Sequence, residues 1–418
     1  MAALSIIALL VGVAGAVGRP FRLPAWVVPA GAAVVVLAAG AITVTSARHA
    51  LSELGDPLAF LLAAVPLAVL LDRLGFFTTL ATRLTTRSSS VGGLWVLAAA
   101  VTTVLNLDAA VVLLTPLYVS IARRTGRDPL LLGAQPVLLA CLASSALPVS
   151  NLTNLIAAAA TGAGTSDFLV HLGLPSLVAT TVGWWRYRAL LRRSPAASQP
   201  AGADSVAAAG TRRSLSIGGI VVIGVLIGFT VGPSIGLAPW EVALGADAFL
   251  IALEVRDRRS KQGSGNDAAW MAVPWGAVPV GTALVAGSLG VLAAAAAGHL
   301  RLDQLIGGTS LADLARTAGV AALGANVVNN LPALLVALPA TGHGVTPSLW
   351  AVLVGVNMGP VLVATASLAS LLWLESLRRL GVDVRARDFS RIGVLVGLPA
   401  ALAGIGTAVV LSGTGVVP

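Results

Sequence analysis

The sequence predicts an all-α polytopic membrane protein, built as an inverted repeat of five spans plus one re-entrant hairpin each, with two broken helices. Composition is the first observation behind this: 57% of the residues are hydrophobic and 10% charged, and the mean hydropathy of +0.92 lies far above that of a soluble globular chain. The second is a pair of asparagine-rich breaks inside membrane-length apolar runs, Asn106-Leu107-Asp108 and Asn326-Val327-Val328-Asn329-Asn330. Hydrocarbon cannot hydrogen-bond such groups, so they should face protein, water or a substrate. The third is repetition. Two further breaks, Ser150-Asn151-Leu152-Thr153-Asn154 and Asn357-Met358-Gly359-Pro360 running on to Thr365-Ala366-Ser367, follow the first pair at similar intervals, as in a duplicated transporter with its site between the halves.

A span needs about 20 apolar residues. Ten candidates emerge in order, at about 3–18, 25–45, 57–72, 129–162, 168–190, 214–236, 239–255, 271–297, 347–380 and 391–413. The first has no positive n-region and no convincing cleavage site, so it reads as a retained span. The runs 129–162 and 347–380 are too long for one straight helix and carry a polar break near the middle. Each therefore reads as two half-helices joined by unwound backbone. The runs 91–121 and 309–341 are each split by an asparagine-rich tip into arms of about a dozen residues, too short to cross alone, and read as re-entrant hairpins.

If the first hairpin enters and leaves on one side, Arg73, Arg83 and Arg87 share that side with Arg123, Arg124 and Arg127. Alternation then puts the clusters from Arg186 to Arg213, from Arg256 to Lys261 and from Arg378 to Arg391 there too, leaving Arg48, Arg301 and Arg316 for the other face. The arginine-rich side is cytoplasmic, which places both termini outside. Five spans is an odd number, so the halves 1–193 and 214–418 take opposite orientations, with the first hairpin entering from the cytoplasm and the second from outside. Between them, 194–213 reads as a cytoplasmic linker, because Ser194 to Gly210 is rich in Ala, Ser, Pro and Gly and has no amphipathic pattern.

Several chemistries are disfavoured. The net charge of +9 resides in short arginine clusters rather than on a continuous basic face, which argues for topology and against nucleic acid. Cys141 stands alone, excluding an internal disulfide and a multi-thiolate metal site within one chain. His49, His171, His299 and His343 are scattered through expected loops without ligand spacing, so no metal or other cofactor is expected. An enzyme would need a nucleophile and base at one depth, and no such constellation appears.

The polar breaks supply the candidate site. Asp108, at the tip of the first hairpin, is the leading proton carrier, because burial disfavours the charged carboxylate; capping the following helix is a compatible role. Asp247, near mid-membrane in the seventh span, is a second candidate. For substrate, the hairpin and broken-helix residues Asn106, Ser150, Asn151, Thr153, Asn154, Asn326, Asn329, Asn330, Asn357, Thr365 and Ser367 offer amides and hydroxyls. Unwound oxygen-rich segments of this kind coordinate alkali cations or hydrogen-bond neutral polyols.

At these motifs the chain resembles the Ion Transporter superfamily, and most closely the arsenite efflux permeases of the ArsB type. The strings that carry the resemblance are NLDAAVVLLTP (106–116), LPVSNLTNLIA (147–157), GANVVNNLPALL (324–335), and NMGP (357–360) followed by SLASLLWL (367–374). The resemblance implies export of arsenite or antimonite across the inner (plasma) membrane of a bacterium, driven by proton antiport. It implies a scaffold domain and a mobile transport domain, in some members a cytoplasmic arsenite-stimulated ATPase as partner, and in some relatives a homodimer formed through the scaffold. Where such permeases commonly follow the second Gly-Pro with Thr-Pro-x-Gly-Ser, this chain has Ala364-Thr365-Ala366-Ser367, which bears on the substrate. A sodium-coupled carboxylate or other anion transporter of the same superfamily, a sodium-proton antiporter and a passive channel are the competing readings. The expected core holds no arginine or lysine to receive an anion, which favours a neutral substrate such as arsenic trihydroxide.

Overall fold

The protein is described by a computed structural model that covers residues 1–18, 23–77, 79–80, 83, 91–193, 212–262, 273–300 and 302–414. Of the expected linker, 194–211 lies outside the described residues. Every regular element among the described residues is helical. The first half contains α1 (Ala2–Gly18), α2 (Val27–Ala38), α3 (Val44–Glu53) and α4 (Gly55–Arg73), then a hairpin of α5 (Val91–Val104) and α6 (Leu107–Arg124). A broken helix follows, α7 (Pro129–Leu142) and α8 (Leu152–Thr161), and then α9 (Thr165–Arg192). The second half runs α10 (Arg212–Val231), α11 (Pro239–Gln262), α12 (Val280–Ala297), a hairpin of α13 (Leu311–Val328) and α14 (Asn330–Ala337), a broken helix of α15 (Pro347–Met358) and α16 (Leu368–Arg379), and α17 (Ala386–Gly413). The two halves thus share one order: spans, hairpin, broken helix, long helix.

Several boundaries differ from expectation for local reasons. The run 25–45 ends at Ala38, and after a turn the polar segment from Val44 forms α3, capped where Thr43 accepts the Ser46 N–H at 3.1 Å. The α13 arm has 18 residues rather than about a dozen, or about 27 Å at 1.5 Å per residue. This length arises because Asn326 continues the helix and only Asn329 breaks it. His171, expected in a loop, lies inside α9, stacked on Trp350 with ring centroids 4.4 Å apart.

The two long helices share a local feature. Both α9 and α17 contain a five-residue π turn, Leu169–Gly173 and Gly393–Gly397, and both turns end in Gly-Leu-Pro. Proline has no N–H for the carbonyl four residues back, so the helix widens there. In α17 the carbonyl opposite Pro399 belongs to Leu395, and Arg186 of α9 donates its Nε–H to it at 3.0 Å. The helices α9 and α17 also pack along each other.

The helices α1, α2 and α12 pack on one another, α12 also packs against α14 of the second hairpin, and the hairpins and broken helices pack with α9 and α17. Close approach of α13 and α15 depends on Gly355 and Gly359. A Cβ at Gly359 would sit 2.6 Å from the Ala322 Cα, so small residues let these backbones touch. Around the periphery, Ile220, Ile223 and Ile227 of α10 lie more than half exposed. That apolar outer stripe suits a lipid solvent and no aqueous one.

Candidate functional site

Four helices begin inside the protein rather than at its surface, and each is capped by the residue just before it. Asn106 Oδ1 accepts the Asp108 N–H at 2.8 Å, opening α6, and Asn151 Oδ1 accepts the Thr153 N–H at 3.2 Å, opening α8. Asn329 Oδ1 accepts the Leu331 N–H at 3.3 Å, opening α14, and Ser367 Oγ accepts the Ser370 N–H at 3.2 Å, opening α16. The polar breaks in the sequence are thus helix N-caps, as Asn and Ser favour. All four of these starts border one cavity of about 70 Å³, room for roughly five waters at 10–15 Å³ each.

Of the candidate residues, Asp108, Asn151, Thr153, Asn329, Asn330 and Ser367 line this cavity. Asp108 is the single charged side chain among its lining residues, and its Oδ1 has no hydrogen-bond partner among the described residues. The facing wall comes from Val13 and Ala16 of α1 and from Thr282, Val285, Ala286 and Leu289 of α12. Thr282 is its lone polar side chain. Nothing in the local sequence of this apolar helix marks it.

The remaining candidates hold the unwound backbone together. Asn154 Nδ2 faces three carbonyls of the first break, those of Ser144 at 2.9 Å, Ser145 at 3.4 Å and Leu147 at 2.9 Å. Thr103 of the first hairpin donates its hydroxyl to the Ala143 carbonyl at 2.9 Å. In the second break, Asn326 Nδ2 donates to the Gly359 carbonyl at 2.8 Å, Asn329 Nδ2 to that of Thr365 at 3.1 Å, and the Asn330 N–H to that of Ala366 at 2.9 Å. Thr365 therefore contributes its backbone, and Ser150 turns its hydroxyl onto the Leu147 carbonyl at 2.7 Å. Unwound backbone inside a membrane requires this matching of carbonyls to donors.

Asn357 ties the two broken helices to each other. Its Oδ1 accepts from Asn151 Nδ2 at 3.0 Å and from the Thr153 hydroxyl at 2.6 Å, and its Nδ2 donates to Asn154 Oδ1 at 2.6 Å. Asn329 has the sole positive φ, 79°, among the described non-glycine residues, with ψ 153°. That conformation costs on the order of 1–3 kcal/mol. The strain is held by the two bonds its amide makes, to Leu331 and to Thr365.

Asp247 stands apart from this cavity. It lies on α11, which packs against α4, on the face shared by Ala243, Leu250 and Glu254; Glu254 meets Arg73 of α4 at 3.7 Å. Among the described residues no three His, Cys, Asp or Glu side chains gather into a metal-holding group.

Membrane-length apolar helices and a small, largely apolar cavity with polar groups at four interior helix starts fit a multi-pass membrane transporter for a small molecule. A family profile described as citrate transporter matches residues 6–355, and the chain belongs to that family. It is also similar to an arsenical pump membrane protein of Yersinia enterocolitica, 25% identical over 388 residues that cover 88% of this chain and 89% of that protein. Similar proteins of the same description occur in Escherichia coli, 24% identical with 88% and 89% covered, and in its strain K12, 26% identical with 81% and 82% covered.

Proposed function

We propose that this protein exports arsenite and antimonite from the cytoplasm by proton antiport with alternating access, and that Asp108 carries the proton. The observation that carries the reading is the cavity where four half-helices begin, with Asp108 as its one charged lining residue. Helix N-termini favour a negative charge nearby, and Asp108 in the first turn of α6 supplies one. A citrate-like anion would meet that carboxylate with no arginine or lysine among the lining residues to offset it. An uncharged trihydroxide, by contrast, finds Asn, Thr and Ser groups able to donate and accept. The arsenical pump membrane proteins similar to this chain point to the same substrate class.

Sodium coupling is disfavoured by the amides in the breaks. The carbonyls of Ser144, Ser145 and Leu147, which could have caged an alkali cation, converge on the Asn154 NH₂. Thr365 and Ala366 are likewise taken by Asn329 and Asn330. The scaffold side of the cavity is built from the end of α1 and the start of α12. With both termini outside and the arginine-rich face cytoplasmic, these ends adjoin the cytoplasm, so the cavity is loaded from within. The halves 1–193 and 214–418 then stand as inverted repeats joined by the cytoplasmic linker 194–213, in a bacterial inner membrane. A cytoplasmic ATPase and a second copy of the chain remain candidate partners of this reading.

The test is accumulation of trivalent arsenic in everted membrane vesicles under an inward-acid pH gradient, comparing wild type with Asp108→Asn. Uphill accumulation that collapses with the gradient and is lost in the variant is expected. Folded wild-type protein that accumulates no arsenic would overturn the substrate assignment, and undiminished accumulation in the variant would overturn the role of Asp108.

A further inference from the structure

We propose that Thr282 positions the substrate from the opposite wall of the cavity, donating or accepting a hydrogen bond to a substrate hydroxyl only while the two walls stand together as in this structure. The inference rests on the reading of the cavity as the substrate site. Thr282 belongs to α12, which packs with α1 and α2, whereas the other polar lining residues belong to the half-helices.

Helical threonines of this protein differ, and the hydroxyls of Thr102 and Thr115 have no partner among the described residues. In the helices of this protein Thr161, Thr181, Thr230 and Thr407 each give their hydroxyl to the carbonyl four residues back, at 2.7–2.9 Å, the usual way such a group is satisfied in apolar surroundings. Thr282 makes no such bond among the described residues. It sits in the first turn of α12, so the residue four back, Val278, lies outside the helix with extended backbone, φ −66° and ψ 117°. The Val278 carbonyl already accepts the Val280 N–H at 2.9 Å. Thr282 thus borders the same 70 Å³ space as Asp108 with no hydrogen bond to its hydroxyl among the described residues.

A substrate bound among the lining residues lies between the half-helix starts and the α1–α12 wall. A trihydroxide held by Asp108 and the amides of one wall directs a remaining hydroxyl toward the other, where Thr282 is the one polar side chain. When the half-helices move away to release the substrate, Thr282 stays with α1 and α2. The contact is then broken by the transport step itself, which strengthens cytoplasmic capture and leaves outward release unaffected.

The experiment measures initial rates against arsenite concentration, at fixed pH gradient, for wild type, Thr282→Val, Thr282→Ala and Thr282→Ser. Valine matches threonine in shape, so the first variant keeps the packing. In everted vesicles the valine and alanine variants should raise KM three- to tenfold with kcat within twofold of wild type, while the serine variant stays near wild type. That range is about 0.7–1.4 kcal/mol at 1.4 kcal/mol per tenfold, the size of one neutral hydrogen bond. In right-side-out vesicles, loading from the outer face, the valine variant should leave KM unchanged. An unchanged KM in everted vesicles, a fall in kcat alone, failure of serine to rescue, or an equal rise from both faces would each overturn the role of Thr282. Absence of arsenite transport in the wild type would instead remove the substrate reading on which it stands.

Discussion

Replacing Asn357 with alanine should loosen the joint between the two broken helices. The side chain is 2% exposed and makes three hydrogen bonds, two as acceptor from Asn151 and Thr153 and one as donor to Asn154. The three partners do not lose equally. Asn151 Nδ2 retains the Ser144 hydroxyl at 3.4 Å, and a threonine hydroxyl can turn to a helix carbonyl, so each of those losses is close to the average of about 0.6 kcal/mol for hydrogen bonds between membrane helices. Asn154 is different, because its NH₂ is committed to three carbonyls and its Oδ1 is left buried without a donor. An orphaned buried acceptor costs about 1–3 kcal/mol. The expected loss is therefore about 2–4 kcal/mol, read as a fall of several degrees in the unfolding temperature of the purified protein followed by tryptophan fluorescence. A double-mutant cycle with Asn154→Ala sharpens the test. The alanine at 154 removes the orphan, so the two changes should be sub-additive by more than the 0.3–0.5 kcal/mol scatter typical of independent sites, about 0.5 kcal/mol. Additivity within that scatter, or a wild-type unfolding temperature for Asn357→Ala, would refute the claim that this asparagine joins the two broken helices.

Exchanging sodium for choline in the vesicle assay should leave the initial rate of arsenite accumulation unchanged, since the carbonyls of the first break are already held by the Asn154 amide; a rate that follows sodium concentration would refute that account. Cys141 is buried, lies outside the cavity lining and makes only a 3.6 Å sulfur contact to the Pro360 carbonyl. Cys141→Ala should therefore keep arsenite KM within about twofold of wild type, less than 1.4 kcal/mol on the tenfold scale, in the same vesicles, and a lost or strongly weakened response would mean that a thiol takes part in recognition.

Much of the architecture was legible from the chain. The breaks in 129–162 and 347–380 and the tips near Asn106 and Asn329 appear in the structure near their expected places, and six helices among the described residues are long and apolar enough to cross a membrane. A bilayer leaves no other use for so many amides inside apolar runs than capping, stitching or binding. The short α3 was missed because a polar ten-residue helix resembles a loop when only hydropathy is followed. The π turns of α9 and α17 were missed because their signal is two Gly-Leu-Pro strings 224 positions apart inside otherwise uniform apolar helices.

The division of labour among the asparagines was not legible. Asn326 and Asn329 are the same residue three positions apart, yet one donates to Gly359 and lies off the cavity while the other caps α14 and lines it. Asn151 and Asn154 divide in the same way. Thr282 carried no signal at all, since a threonine at the start of an apolar helix is unremarkable until it is seen to line the cavity.

By itself the sequence determined that this chain lives in a membrane, how many apolar segments it has and where their continuity fails, because hydrocarbon imposes length and saturation of hydrogen bonds on each segment separately. Only the tertiary structure decided which polar groups meet the cavity and which are spent on backbone carbonyls. Such partners come from other segments, as Gly359 and Thr365 do for Asn326 and Asn329 and as Asn357 does for Asn151, Thr153 and Asn154, and no local pattern in the chain records which of them an amide will meet.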